Sequence, residues 1–109
     1  MSSLQRGDLV SFRGVQRAKG HEQQGQRYAA IVQSDAFSRL GTVLIVPTST
    51  SAQPAVFRPE ITLRGRRTRL LTDQLLAVDR SRVGRSVGRL SAPEVDELES
   101  AISLVLGLF

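Results

Sequence analysis

Arg27 closes a short polar stretch, His21-Glu22-Gln23-Gln24-Gly25-Gln26, and stands at the head of an apolar run. Further along, Val46-Pro47 leads into a cluster of hydroxyls, Thr48-Ser49-Thr50-Ser51. These residue types suit the cleavage of a phosphodiester without a metal. In RNA the 2′-OH must lose a proton, the charge of the phosphorane must be stabilised, and the leaving oxygen must gain a proton. An arginine fork matches phosphate oxygens. A hydroxyl adds a further hydrogen bond, and Glu22 and Gln23 are suited to positioning a base or orienting the arginine. Many surface loops hold the same residue types, so the set points to this chemistry without fixing it.

Other chemistries find little support. No G-x-x-x-x-G-K-[ST] run is present to cradle a nucleoside triphosphate. With no cysteine and one histidine, the sequence predicts neither a metal site nor a cofactor. A Ser-His-Asp triad would have only His21 to draw on, and no nucleophile elbow accompanies it. The 109 residues carry a net charge of +5 and a pI of about 11.2, and Lys19 is the single lysine among the basic residues. An arginine-rich surface offers bidentate phosphate contacts and stacking planes. That favours nucleic acid or an acidic protein as partner, although a GC-rich coding sequence also raises arginine use. The length suits a single domain, 1–109, able to bury its own core. No apolar run approaches a membrane span and no signal-peptide core is evident, so a cytoplasmic, non-membrane protein is expected.

The elements that must position these groups are mostly strands. Residues 8–12, "DLVSF", read as a first strand, and residues 13–27 as a long polar loop. "YAAIVQ" (28–33) reads as a buried strand, and "SDAFSR" as one helical turn capped by Ser34 or Asp35. "TVLIVP" (42–47) reads as a β-branched strand stopped by Pro47. "VFRPEITL" is expected as an edge strand, "RGRRTR" as a basic turn on Gly65, and "LLTDQLLAV" as one further strand. "DRSRVGRSVGRL" supplies a turn and a short strand. Ser91 and Glu94 form an S-x-x-E capping box with Pro93 in the first turn. Val95, Leu98, Ile102 and Leu106 then recur at helical spacing, widened by Ala101, Val105, Leu108 and Phe109. The stripe predicts a helix of about four turns docked through its apolar face. Many short strands followed by one closing helix predict a β-rich α+β fold, a small, strongly bent antiparallel sheet or barrel.

Five landmarks run in order along nearly the whole chain. They are Arg6-Gly7-Asp8-Leu9, the stretch Gly20-His21-Glu22-Gln23-Gln24-Gly25-Gln26-Arg27, Val46-Pro47-Thr48-Ser49-Thr50, Asp73-Gln74, and "GRLSAPE" at 88–94. Together they resemble the MazF/PemK family, the endoribonuclease toxins of bacterial toxin–antitoxin pairs. The resemblance implies an SH3-like, strongly curved antiparallel barrel with a C-terminal amphipathic helix, assembled as a homodimer. It implies metal-independent, sequence-specific cleavage of single-stranded RNA, leaving 2′,3′-cyclic phosphate and 5′-hydroxyl ends and arresting translation and growth. It implies, too, a cognate antitoxin whose acidic tail covers the RNA site. A non-catalytic toxin of the same fold that binds DNA gyrase, and an inactive RNA-binding module, are the competing readings.

Carried over residue by residue, Arg27 matches the family's catalytic arginine. Ser49 falls at its catalytic threonine when the chain is aligned on Pro47, and Thr48 or Thr50 takes that place if the loop shifts by one residue. Glu22, Gln23 and Gln24 match loop positions that shape the RNA site, and Gln74 and Thr50 are added to that set. Asp73 matches a carboxylate proposed as a base in some members, but Leu71 stands where those members carry an arginine. His21 is an alternative proton acceptor, with an ordinary pKa near neutrality. Tyr28 replaces the usual proline after the arginine and brings a ring able to stack on a base. The basic turn, Arg64, Arg66, Arg67 and Arg69, is read as a grip on flanking phosphates or on the antitoxin tail, or else as a solvated hairpin tip. Leu108 and Phe109 are expected to pack at a dimer seam or across the barrel.

Overall fold

Thr42–Ser49 forms β3, the strand on which the sheet is assembled. One of its edges pairs with β2, Arg27–Ile31. Its other edge carries two strands in succession. β6, Leu76–Asp79, lies beside Thr42–Ile45, and β5, Arg66–Leu70, lies beside Thr48–Ser49. Beyond these, β1 (Asp8–Phe12) pairs with β2, β7 (Val83–Arg89) with β1, and β4 (Glu60–Leu63) with β5. Every pairing is antiparallel, and the order runs β4-β5-β3-β2-β1-β7 with β6 as the second partner on β3. This computed structural model describes residues 4–13 and 27–108. Two register shifts in the β1–β7 pair add local twist. The result is a curled antiparallel half-barrel closed by α1, Ala92–Leu106, in agreement with the expected β-rich barrel and terminal helix.

Both faces of the inner strands are buried, which accounts for the unbroken apolar run after Arg27. Leu9, Ala30, Val32 and Val46 face Leu98 of α1 and Ile61, Leu63 and Leu70 of the β4–β5 hairpin. Val10, Phe12, Ala29, Ile31, Val43, Ile45 and Val78 form a second cluster. The Arg6-Gly7-Asp8 landmark joins these layers. Arg6 donates to the Val32 carbonyl (2.8 Å) and pairs with Glu99 of α1 (2.9 Å). Gly7 has φ +97°, and a Cβ there would stand 3.0 Å from Val95 Cγ2, so the position favours glycine twice over.

The capping box of α1 is complete. Ser91 Oγ accepts from the Glu94 N–H (3.3 Å), and Glu94 Oε1 accepts from the Ser91 N–H (2.9 Å). Ser34 likewise caps the short turn Asp35–Phe37.

Five expectations need correction. β3 runs through Pro47 rather than stopping there. The Pro47 carbonyl accepts from the Leu71 N–H (2.9 Å), so the missing N–H faces the edge where β6 gives way to β5, and no ladder bond is lost. "LLTDQLLAV" is not one strand. Five residues, 71–75, stand opposite two, Val46 and Pro47, and the excess forms the turn Thr72–Gln74. The edge strand expected from Val56 begins only at Glu60, and the basic "turn" is mostly strand, with just Arg64 and Gly65 in the hairpin loop. Finally, Leu106 is 52% exposed, as the buried stripe of α1 ends with Ile102 partly covered. The sheet core extends no further beneath the helix, so Leu104, Val105 and Leu108 are exposed as well. Phe109 and the greater part of the predicted polar loop, 14–26, lie outside the described residues.

Candidate active site

Arg27 opens β2 and Ser49 ends β3. β2 and β3 pair at Ile31↔Ile45, Ala30↔Val46 and Ala29↔Pro47, and just beyond the last pair Arg27 and Ser49 line one cleft. Phe12 is the partner of Arg27, and Arg69 is the partner of Ser49. Phe12–Arg27 and Ser49–Arg69 are thus two separate cross-strand pairs. Arg27 Cζ lies 5.6 Å from the Phe12 ring centroid. A guanidinium stacked on a ring spends its face on the contact and keeps its N–H donors, which lie in its plane, for a ligand. No carboxylate among the described residues pairs with Arg27.

The three candidate hydroxyls are not equivalent. Thr48 donates its O–H to the Tyr28 carbonyl (3.0 Å), tying β3 to β2. Ser49 Oγ accepts from the Ser51 N–H (3.1 Å), with Ser51 Oγ at 3.5 Å. An accepting Oγ leaves its own proton to be donated elsewhere. Thr50 is exposed at the tip of the loop. Ser51, which orients Ser49, was not singled out from sequence; the Ser-x-Ser spacing of a side-chain turn was the available signal.

These groups border a cleft of about 560 Å³ at the open end of β2 and β3. Its walls include Arg27, Tyr28 and Thr48–Ser51 on one side and Leu63, Arg64, Arg66 and Thr68 of the hairpin on the other. Among the described residues its charged lining consists of three arginines and no carboxylate, which suits an anion. Tyr28 packs against the α1-side core, and Arg64 Cζ stands 5.7 Å from its ring centroid.

Several predicted residues stand apart from the cleft. Asp73 and Gln74 sit in the Thr72–Gln74 turn and do not line it. Arg58 takes both carboxylate oxygens of Asp73 and donates to the Gln53 carbonyl (3.2 Å). The hydrogen bonds from Arg58 hold the Asp73 carboxyl below its ordinary value, and the same bonds raise Arg58. A carboxylate so held is a weaker base. Arg67 pairs with Glu60 (3.4 Å), as does Arg69 (3.2 Å), which also donates to the Arg58 carbonyl. His21, Glu22, Gln23 and Gln24 lie outside the described residues. No group of His, Asp and Glu fit to hold a metal ion is found among the described residues, and no helix there is long and apolar enough to cross a membrane.

Comparison with known proteins agrees with this architecture. Residues 5–106 match the family described as PemK-like, MazF-like toxin of type II toxin–antitoxin system. A Mycobacterium tuberculosis protein named "Putative toxin Rv3098A" is 44% identical over 91 residues, covering 83% of this chain and 85% of that protein. MazF in a MazE–MazF crystal structure from Deinococcus radiodurans superposes with a TM-score of 0.79 at 26% identity, over the whole of both chains. An endoribonuclease in complex with its cognate antitoxin, from a mycobacterial species, has the same fold, with a TM-score of 0.78 at 16% identity and 96% of each chain covered.

Proposed function

This chain belongs to the PemK-like, MazF-like toxins of type II toxin–antitoxin systems, and on that premise we propose that it is a metal-independent endoribonuclease. Its substrate is single-stranded RNA, cut at short motifs to leave 2′,3′-cyclic phosphate and 5′-hydroxyl ends. Growth arrest follows from the cleavage, and an antitoxin with an acidic tail relieves it by occupying the same basic cleft. The working form is a homodimer in the cytoplasm.

The observation that carries this reading is that Arg27 and Ser49 line one cleft together with Arg64 and Arg66. In the proposed reaction the 2′-oxygen forms a bond to phosphorus as its proton leaves, and the bond from phosphorus to the 5′-oxygen breaks as that oxygen gains a proton. Arg27 clamps the scissile phosphate through two N–H groups and donates toward the leaving oxygen. Ser49, its acceptor side occupied by Ser51, donates to a non-bridging oxygen. Arg64 and Arg66 attract the flanking backbone. For the 2′-OH proton, Arg58 weakens Asp73 as a base, and His21, with an ordinary pKa near neutrality, is the alternative acceptor.

The test is incubation of a long mixed-sequence RNA with the purified protein in excess EDTA, beside Arg27→Ala, with product ends mapped. Discrete cuts bearing 5′-hydroxyls, lost in the variant, are expected. Intact RNA with a folded wild-type protein would overturn the reading and turn attention to the gyrase-binding toxins of this fold.

A further inference from the structure

Arg64 occupies the first position of a two-residue hairpin loop, with φ +52° followed by Gly65 at φ +79°. Such a loop favours asparagine followed by glycine, since both positions need left-handed backbone. An arginine there costs roughly 1 kcal/mol relative to residues that visit this region readily. A non-glycine residue held in that conformation invites the question of what its side chain does. Here the guanidinium reaches from β4–β5 to the ring of Tyr28 on β2, 5.7 Å from Cζ to centroid, and both residues line the cleft that holds Arg27 and Ser49. No carboxylate among the described residues pairs with Arg64. Tyr28 is anchored from beneath by the α1-side core, so the platform has a fixed base.

We infer that Arg64 and Tyr28 form a stacking subsite for one nucleobase next to the scissile phosphate, and that this subsite selects a purine. The inference rests on the endoribonuclease reading and deepens it. Arg27 and Tyr28 alternate across β2, yet both line the one cleft at its open end, so a base on this platform belongs to a nucleotide close to the phosphate that Arg27 clamps. A guanidinium plane and an aromatic ring both stack on bases. Two planes already in contact require little ordering when the base arrives. A purine presents the larger surface to the stack and gains more from it. Lysine would keep the charge but not the plane, so charge and stacking are separable by experiment.

The experiment has two arms. In the first, a randomised single-stranded RNA pool is cut by the wild type, Arg64→Lys, Arg64→Asn, Tyr28→Leu and Tyr28→Phe, and the base preference is mapped around the cut. In the second, 2-aminopurine is placed at successive positions of an RNA made uncleavable by a 2′-deoxy nucleotide at the cut, and its quenching on binding is read. For the wild type, purine preference and quenching are expected at one shared position. Arg64→Lys and Tyr28→Leu should lose about tenfold of the preference at that position and most of the quenching, while preferences elsewhere persist. Tyr28→Phe should restore both. Arg64→Asn should unfold at a higher temperature than the wild type yet show the same loss, which a merely structural arginine would not produce. Wild-type cleavage with an unchanged motif in the folded Arg64 variants overturns the subsite alone. Quenching without cleavage supports the subsite and sinks the nuclease reading. A wild type that neither binds nor cuts RNA overturns both.

Discussion

Arg58 holds Asp73 through two parallel hydrogen bonds, Nε to Oδ1 at 3.0 Å and a terminal nitrogen to Oδ2 at 2.8 Å. The side chains retain 19% and 30% of their exposure. This bidentate pair fastens the segment after Thr48–Ser51 to the turn between β5 and β6 and occupies both oxygens of the carboxylate. Asp73→Asn is therefore expected to keep cleavage within a few-fold of wild type while loosening the loop. The folded-state pKa of Asp73 is lowered. Its contribution to stability is accordingly present above the unfolded value near about 3.9 and is lost as pH falls through the folded value. Unfolding curves of wild type and Asp73→Asn should separate at neutral pH and converge in acid. Abolished cleavage with an unaltered unfolding curve would instead place Asp73 on the RNA.

Arg27 and Ser49, which line the same cleft, make a sharper prediction. Ser49→Ala should lower kcat about 10²- to 10³-fold, the loss typical of one donor to a developing oxyanion, and Ser49→Thr should restore most of it. Arg27→Lys should fall well short of wild type, because a point charge cannot replace a fork. Thr48→Val breaks the bond to the Tyr28 carbonyl and should cost about 1 kcal/mol of stability, with a smaller kinetic loss than Ser49→Ala. Single-turnover rates and thermal unfolding separate the two. The assignment of Ser49 fails if Thr48→Val is the more damaging to kcat.

The hairpin arginines are expected to differ from one another. Arg66 lines the cleft, whereas Arg67 is engaged by Glu60. Arg66→Gln should flatten the salt dependence of single-stranded RNA binding by about 0.7 in log–log slope, the share of one phosphate contact. Arg67→Gln should leave the slope near its wild-type value. Binding titrations across a range of salt provide the comparison, and equal slopes for both variants would remove Arg66 from the RNA path.

Two stability effects follow from local geometry. Ser91→Ala removes the acceptor for the Glu94 N–H at the start of α1 and should cost about 1 kcal/mol. Gly7→Ala adds a Cβ at positive φ against Val95 and should cost about 1–3 kcal/mol. Denaturant unfolding of each variant checks the order. A Gly7→Ala protein as stable as wild type would mean that α1 moves freely on the sheet.

What the sequence determined by itself was local. The capping box at Ser91, the β-branched run of β3 and the tight turn at Gly65 are each written within a few neighbouring residues, and each formed, although β3 outruns Pro47 and the turn is confined to Arg64 and Gly65. The ordered landmarks likewise announced the family and put Arg27 and Ser49 forward. Tertiary structure decided whatever depended on a partner distant in the chain. Pro47 lies within β3 because its carbonyl side meets Leu71, and "LLTDQLLAV" is interrupted because five of its residues must pass two of β3. Leu106 obeys the helical period but is exposed, since periodicity fixes which face a residue occupies and not how far the opposing core extends. In the same way Asp73 is an acid by sequence and a held counter-ion in the fold, because Arg58, fifteen positions away in the chain, is placed against it only when the β5–β6 turn closes.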